Sequence, residues 1–130
     1  MAQPTMLAFN FADARLDSLR KVCTRKHIRL IEVASADQAQ TLAALCGMTP
    51  KKESASADTP FADEVIVMVH FTPGGLNAFL QAWKQADQAT IALKAMLTPT
   101  NMGWTACQLH AELLQEDAAM KQHDGSVHQA

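Results

Sequence analysis

Tyrosine is absent from this chain of 130 residues, and aromatics make up only 5% of it. Successive bases of a single strand stack on aromatic side chains, so no platform for single-stranded nucleic acid is available. Neither sign of charge dominates: eleven Lys and Arg stand against thirteen Asp and Glu, for a net charge of −2. That balance exerts no global pull toward nucleic acid or an anionic membrane. Cysteine is sparse, with three residues at Cys23, Cys46 and Cys107. An odd, widely spaced set is not a disulfide framework and suits a reducing cytoplasm. The most apolar run, residues 65–69, falls far short of the roughly 20 residues a membrane helix needs. Residues 1–11 lack a basic n-region, so no secretory leader is expected. Also missing are Gly-x-Gly-x-x-Gly, a Walker loop, Gly-x-Ser-x-Gly and His-Glu-x-x-His. Gly74 and Gly75 lie in the first turn of a helix and are too short for a phosphate loop. No cofactor and no metal are expected, and no two carboxylates sit at a spacing that implies acid–base work.

What is present is a pattern of alternating short strands and amphipathic helices. Residues 7–11 form an apolar strand, and Leu16, Leu19, Val22 and Cys23 then recur at helical spacing. Residues 28–33 form a second strand. Ser35 with Gln38 reads as a capping box opening a second helix that carries Leu42 and Leu45. Gly47 and Pro50 end it. Residues 51–60 have no apolar periodicity and read as a mobile linker. Residues 65–69 form the third strand. Thr72 followed by Pro73 starts a third helix with Leu76, Phe79, Leu80 and Trp83 on one face. Residues 91–97 are the fourth strand. A last helix follows from about Met102, with Ala106, Leu109 and Leu113 on one stripe, and a polar tail begins at residue 122.

The order is βαβα, linker, βαβα. Phe11, Leu16, Leu19 and Cys23 sit sixty positions before Phe71, Leu76, Phe79 and Trp83. Thr41 and Leu45 sit sixty-four before Thr105 and Leu109. The expectation is one domain with a first repeat over residues 6–47, a flexible linker over 48–63, a second repeat over 64–121 and a disordered tail over 122–130. Strands one and three are nearly all apolar and belong at the centre of one four-stranded α/β sheet. Strands two and four carry Arg29, Glu32 and Lys94 and belong at the edges. An all-parallel sheet of order 2-1-3-4 is preferred, with a ferredoxin-like α+β sheet as the alternative.

The junction of the fourth strand with the last helix is the leading candidate site. Pro99 pushes Thr98 away from helical geometry, and Thr100 or Asn101 can cap the helix. Gly103 permits close approach, and Trp104 adds a large amphipathic surface with one N–H donor. Unpaired amides at such a junction can hold a phosphate or carboxylate. The stretch Lys94-Ala-x-Leu-Thr-Pro-Thr-Asn-x-x-Trp104-Thr105 resembles the signature of a bacterial family of small cytoplasmic proteins known only as a domain of unknown function. The resemblance extends more weakly over residues 6–114. It implies no chemistry, and it marks Lys94, Thr98, Pro99, Thr100, Asn101 and Trp104 without giving them a role.

Asn10 and His70 occupy equivalent places at the ends of the central strands. In a parallel sheet they would share the carboxyl edge with Ser35 and residues 98–101. His70 is then a candidate acid–base group, against the plainer reading that both residues bond local backbone. Glu32 and Lys94, opposite in charge at equivalent positions, could pair. Cys23 with His27 and Cys107 with His110 could supply four zinc ligands if helices one and four met, though a buried, inert Cys23 fits the repeat better. Arg20, Lys21, Arg25, Lys26, His27 and Arg29 form a basic cluster that could meet nucleic-acid phosphates but also complements a helix carboxyl end; the overall acidity and lack of interleaved aromatics argue against nucleic acid. The sequence favours a small binding or regulatory module. Its ligand site would comprise Thr98, Thr100, Asn101, Trp104, Asn10 and His70, for a small anionic ligand or a protein partner. It leaves open a small enzyme using His70, a purely structural interaction domain, and self-association through a sheet edge.

Overall fold

The structure, a computed structural model, describes residues 3–52, 60–86 and 89–129. Four strands, Thr5–Phe9 (β1), Arg29–Val33 (β2), Val65–Val69 (β3) and Leu93–Met96 (β4), form one sheet of order β2-β1-β3-β4. Every residue of β1 and β3 is buried, as expected for strands covered on both faces. The edge strands are only partly buried. The helices are Asp13–Arg25 (α1), Leu42–Leu45 (α2), Pro73–Gln85 (α3) and Ala106–Gln129 (α4).

The α/β class, the two βαβα units and the central placement of β1 and β3 agree with the sequence. The strand directions do not. β1 is parallel to β2 and β3 to β4, but β1 and β3 are antiparallel. The preferred all-parallel sheet is therefore corrected, and the ferredoxin-like alternative does not form. A crossover helix fixes direction only within its own half. Between the halves the register decides: Leu7 lies opposite Val67, with Met6 against Met68 and Ala8 against Ile66. Leu7 and Val67 are themselves sixty positions apart, so the pairing has a local twofold axis between them. Rotation about an axis perpendicular to the sheet keeps equivalent faces of the two strands on one side. Such an axis makes them antiparallel.

Period-two alternation then sorts the core. Met6, Ala8, Ile66 and Met68 pack with Leu19, Val22, Cys23, Phe79 and Trp83 from α1 and α3. Leu7, Phe9, Val65, Val67 and Leu93 pack on the opposite face with Leu42, Leu45, Ala106 and Leu109 from α2 and α4. Arg15 fastens the first layer. Its Nε lies 2.7 Å from Glu64 Oε2, its Nη1 donates to the Ala89 carbonyl at 3.0 Å, and its guanidinium stands 5.3 Å from the Trp83 ring.

The second helix departs from expectation. Ser35–Ala39 is a 3-10 turn with no side-chain cap, and α2 is a single turn capped by Thr41, whose Oγ1 accepts from the Ala44 N–H at 3.2 Å. The break has a clear cause. Thr41 bridges Thr105 in antiparallel fashion, with Leu42 N–H donating to the Trp104 carbonyl (2.9 Å) and Ala106 N–H to the Gln40 carbonyl (3.2 Å). Those backbone bonds require an extended Gln40 and Thr41, so the capping box does not form. Gly47, at φ +87, then ends α2. The Thr72 cap and Pro73 start of α3 form as expected, with Thr72 Oγ1 accepting from Gly75 N–H at 2.9 Å. The last helix runs on over residues 122–129, the stretch read as a polar tail. That stretch, Gln-His-Asp-Gly-Ser-Val-His-Gln, holds no proline to interrupt the helix.

Residues 53–59 of the expected linker lie outside the described residues, but the flanking residues are held tightly. Gln38, fully buried, accepts the Phe61 N–H (2.8 Å) and donates to the Phe61 carbonyl (3.3 Å). Gln40, also buried, accepts the Lys52 N–H (2.9 Å) and donates to the Lys52 carbonyl (2.7 Å). Each amide side chain imitates a peptide group of a neighbouring strand. Gln38→Ala leaves the Phe61 N–H and carbonyl without these partners. A loss of about 2–3 kcal/mol in urea unfolding is expected, and an unchanged midpoint would remove Gln38 from this role.

Candidate functional site

At the end of β4, Leu97 N–H donates to the Met68 carbonyl at 2.9 Å and the chain leaves the sheet. Thr98 and Asn101 then close on each other. Thr98 N–H donates to Asn101 Oδ1 (2.8 Å), Asn101 N–H donates to Thr98 Oγ1 (3.1 Å), and Asn101 Nδ2 donates to the Met96 carbonyl (2.9 Å). Met102 N–H donates to the Thr98 carbonyl and Trp104 N–H to the Asn101 carbonyl. The start of α4 is closed by a capping box. Thr105 N–H donates to Gln108 Oε1 (3.0 Å), and Gln108 N–H to Thr105 Oγ1 (3.1 Å). The amides of Thr98, Asn101, Met102, Trp104 and Thr105 are thus engaged within the turn. Asn101 is buried and structural, while Thr98 and Thr100 are exposed and Trp104 is half-buried. Gly103 is not forced by close packing, since a methyl group there would meet nothing within 4 Å.

Beside this turn lies a groove of about 400 Å³ between the β4 edge and α4. Lys94, Ala95 and Met96 form one wall, Leu109, Glu112, Leu113 and Glu116 the other, and Thr98, Thr100, Asn101 and Trp104 its end. Lys94 Nζ folds back onto the Ile91 carbonyl.

The other candidates fall elsewhere. Because β1 and β3 are antiparallel, Asn10 and Ser35 lie at one end of the sheet, and His70 and residues 98–101 at the other. Asn10 and His70 do share a property: both are in the left-handed region, at φ 65 and 62. Asn and His tolerate that conformation better than most residues. Asn10 Nδ2 donates to the carbonyls of Phe61 and Asp63, each at 2.9 Å. His70 is exposed and lines a separate pocket of about 240 Å³ with Arg29 and Cys46. It therefore does not join Trp104 and Thr100 in one cavity.

Glu32 and Lys94 stand on opposite edges, so no pair forms between them. Glu32 instead takes a forked contact from Arg20 on α1, at 2.8 and 2.9 Å. That hydrogen bond holds the Glu32 carboxyl below its ordinary range. Cys23 belongs to the α1–α3 layer and Cys107 to α4 on the other face, so the four zinc ligands cannot converge. No group of three or more metal-ligating side chains occurs among the described residues. Burial pushes the Cys23 thiol up to about 12, which keeps it protonated and inert.

A further cluster was not visible in the sequence. His110 stacks on Phe61 (ring centroids 4.3 Å, interplanar angle 8°) and its Nε2 lies 2.8 Å from Asp63 Oδ2. Phe61 in turn is held by Gln38 and Asn10. Neither a phenylalanine at the end of a polar stretch nor a lone histidine on α4 signals this by spacing.

Residues 64–120, which run from just before β3 well into α4, match the family described as domain of unknown function (DUF3783). The match includes residues 94–105 but begins at residue 64, whereas the sequence resemblance extended from residue 6. Neither a curated protein nor a solved structure matches the chain. No helix among the described residues is long and apolar enough to cross a membrane.

Two outcomes test this geometry. Asn101→Ala breaks the two side-chain bonds to the Thr98 N–H and the Met96 carbonyl and should cost about 1–3 kcal/mol in urea unfolding, while Thr100→Ala should stay within about 0.5 kcal/mol. Arg20→Ala should raise the Glu32 titration midpoint toward the ordinary carboxylate range, read by carboxyl NMR. Since the folded value is depressed, the stability this pair adds is present above the ordinary carboxylate range. It is lost as pH falls through the depressed value.

Proposed function

We propose that this protein is a cytoplasmic binding module of bacterial type, and that its second βαβα unit receives a polypeptide partner in the groove between β4 and α4. The observation that carries the reading is the asymmetry of the two halves. α4 is a long helix that walls the groove beside β4, whereas its counterpart α2 stops after one turn. The matched family segment covers that same second half. The equivalent spacing of the halves and the local twofold between β1 and β3 support an internal duplication in which one copy kept the groove. Three free cysteines support a reducing compartment.

A polypeptide is favoured over a small anion. The amides of Thr98, Asn101 and Thr105 are already bonded, and the groove ends on a half-buried tryptophan with leucines and two carboxylates in its walls. Aromatic and aliphatic anchors with a polar rim suit protein recognition. An enzyme using His70 lacks a shared cavity with the junction, and the anion cradle assigned to α4 is filled by its own capping box. Self-association through a sheet edge is the competing use of the same surface.

Indole and amide NMR spectra recorded during titration with simple anions, sugar phosphates, nucleotides and a mixed pool of short peptides decide the matter. A Trp104→Phe variant assigns the two indole signals. Saturable shifts at Trp104 and Leu113 on adding peptides, with Trp83 unmoved, are expected. A response confined to phosphates at Thr100 and Asn101 would return the anionic ligand, and silence across the panel would overturn the binding module.

A further inference from the structure

We infer that the β4 edge takes up a short extended peptide as a fifth strand, with basic residues at the alternate positions that face α4. The inference rests on the groove reading above and narrows its partner to one backbone conformation and one charge pattern.

The free edge supplies the pairing groups. Leu97 N–H bonds to β3 through the Met68 carbonyl. Backbone groups alternate sides along a parallel ladder, so Leu93 and Ala95 turn theirs toward β3 as well, and Lys94 and Met96 turn theirs outward. Asn101 Nδ2 already occupies the Met96 carbonyl. The Lys94 N–H, the Lys94 carbonyl and the Met96 N–H remain, enough for a strand of three or so residues. Edge pairing of this kind gives affinity through the main chain and specificity through alternate side chains.

Side chains supply the selection. Ala95 lies on the α4 face of β4 and is small, which opens the space next to the edge. A strand placed there would set every second side chain against Trp104, Leu113, Glu112 and Glu116. Both glutamates are exposed, and neither forms an ion pair with any described residue. Lys94 does not neutralise them, because its amine is folded onto the Ile91 carbonyl, beside Lys84 on the α3 side of the sheet. The spacing also fits. Positions four apart on a helix are separated by about 6 Å, and alternate residues of a strand by about 6.7 Å. Two basic residues at i and i+2 can therefore reach Glu112 and Glu116 together. The equivalent edge at β2 provides an internal control. There Glu32 is held by Arg20, and no helix continues past Leu45 to form a second wall.

The test uses the full chain and two synthetic nine-residue peptides, one alternating lysine with valine and one alternating glutamate with valine. Amide exchange and chemical shifts are read at Lys94, Met96, Trp104 and across β2. The lysine peptide should slow exchange at Lys94 and Met96, shift the Trp104 indole and leave β2 unchanged. The double variant E112Q/E116Q, altered only at exposed positions, should weaken that binding by about three- to tenfold at low salt. Equal binding of the glutamate peptide, or an unchanged affinity in the double variant, overturns the charge selection. Shifts at Trp104 without protection at Lys94 and Met96 overturn the strand pairing. Each of those results leaves the groove reading standing. A concentration-dependent dimer that protects β4 without peptide assigns the edge to a second copy and overturns the inference. No response in the groove to any probe overturns both readings.

Discussion

The antiparallel contact of β1 with β3 is the constraint on which the rest of the molecule depends. Met6, Leu7, Phe9, Ile66 and Val67 are fully buried in it, and removing apolar surface of this kind is the dominant favourable term in folding. A five-residue apolar strand cannot stand at the edge of a sheet without inviting aggregation, so each half needs the other. Once the two strands meet about Leu7 and Val67, the remaining placements follow. α1 and α3 share one face, α2 and α4 share the other, and the charged strands fall to the edges. The carboxyl ends of the strands are also divided between two ends of the sheet. A single ligand crevice along one carboxyl edge, the usual arrangement in parallel α/β sheets, is thereby removed.

Two buried glutamines show how the two halves differ. Position 40 in the first half corresponds to position 104 in the second, and both flank the bridge between Thr41 and Thr105. In the first half the residue is Gln40, whose amide engages the Lys52 backbone. Two residues earlier, Gln38 does the same for Phe61. A buried amide with both ends bonded is tolerated; one left unpaired costs about 1–3 kcal/mol. The chain between residues 52 and 61 therefore departs from and returns to fixed points. Its return places Phe61 under His110 and beside Phe9, so an apparently featureless stretch contributes to the second layer of the core. In the second half the corresponding residue is Trp104, and it borders a groove instead of a loop.

The parts of this fold that were legible in the sequence are those written in periodicity. The uninterrupted apolar residues of β1 and β3, the charges on β2 and β4, and the Thr72–Pro73 helix start each have a local cause and form where expected. What the sequence did not reveal depends on partners far along the chain. Strand direction between the halves is set by the register of Leu7 against Val67, and no local pattern encodes it. Ser35 and Gln38 satisfy the rule for a capping box, but the tertiary bonds of Gln40 and Thr41 with residues 104–106 outcompete it. At the candidate site the residue types were read correctly as turn-formers, while their bonding was not visible. Thr98 and Asn101 face each other across Pro99 and Thr100, and Gln108 closes the helix end. Asn10 and His70 are equivalent in the sequence, and the structure supplies a backbone reason for it, their shared left-handed conformation.

That reason bears on where function can reside. A residue held by backbone geometry or by three internal hydrogen bonds is accounted for without a ligand, and Asn10, Asn101 and the α4 capping box are of this kind. Subtracting them leaves the features that stability does not require. A free sheet edge is a liability unless it is short, charged or covered. At β2 the Arg20–Glu32 pair meets that demand. At β4 the lysine that could do the same is turned to the other face, and the long helix beside it leaves a groove in place of covering the edge. The two carboxylates on that helix are exposed and form no ion pair with a described residue. An unprotected edge, an open wall and uncompensated charge coincide in one half of an otherwise matched pair. The β4 edge is therefore the surface on which the proposed peptide interaction rests.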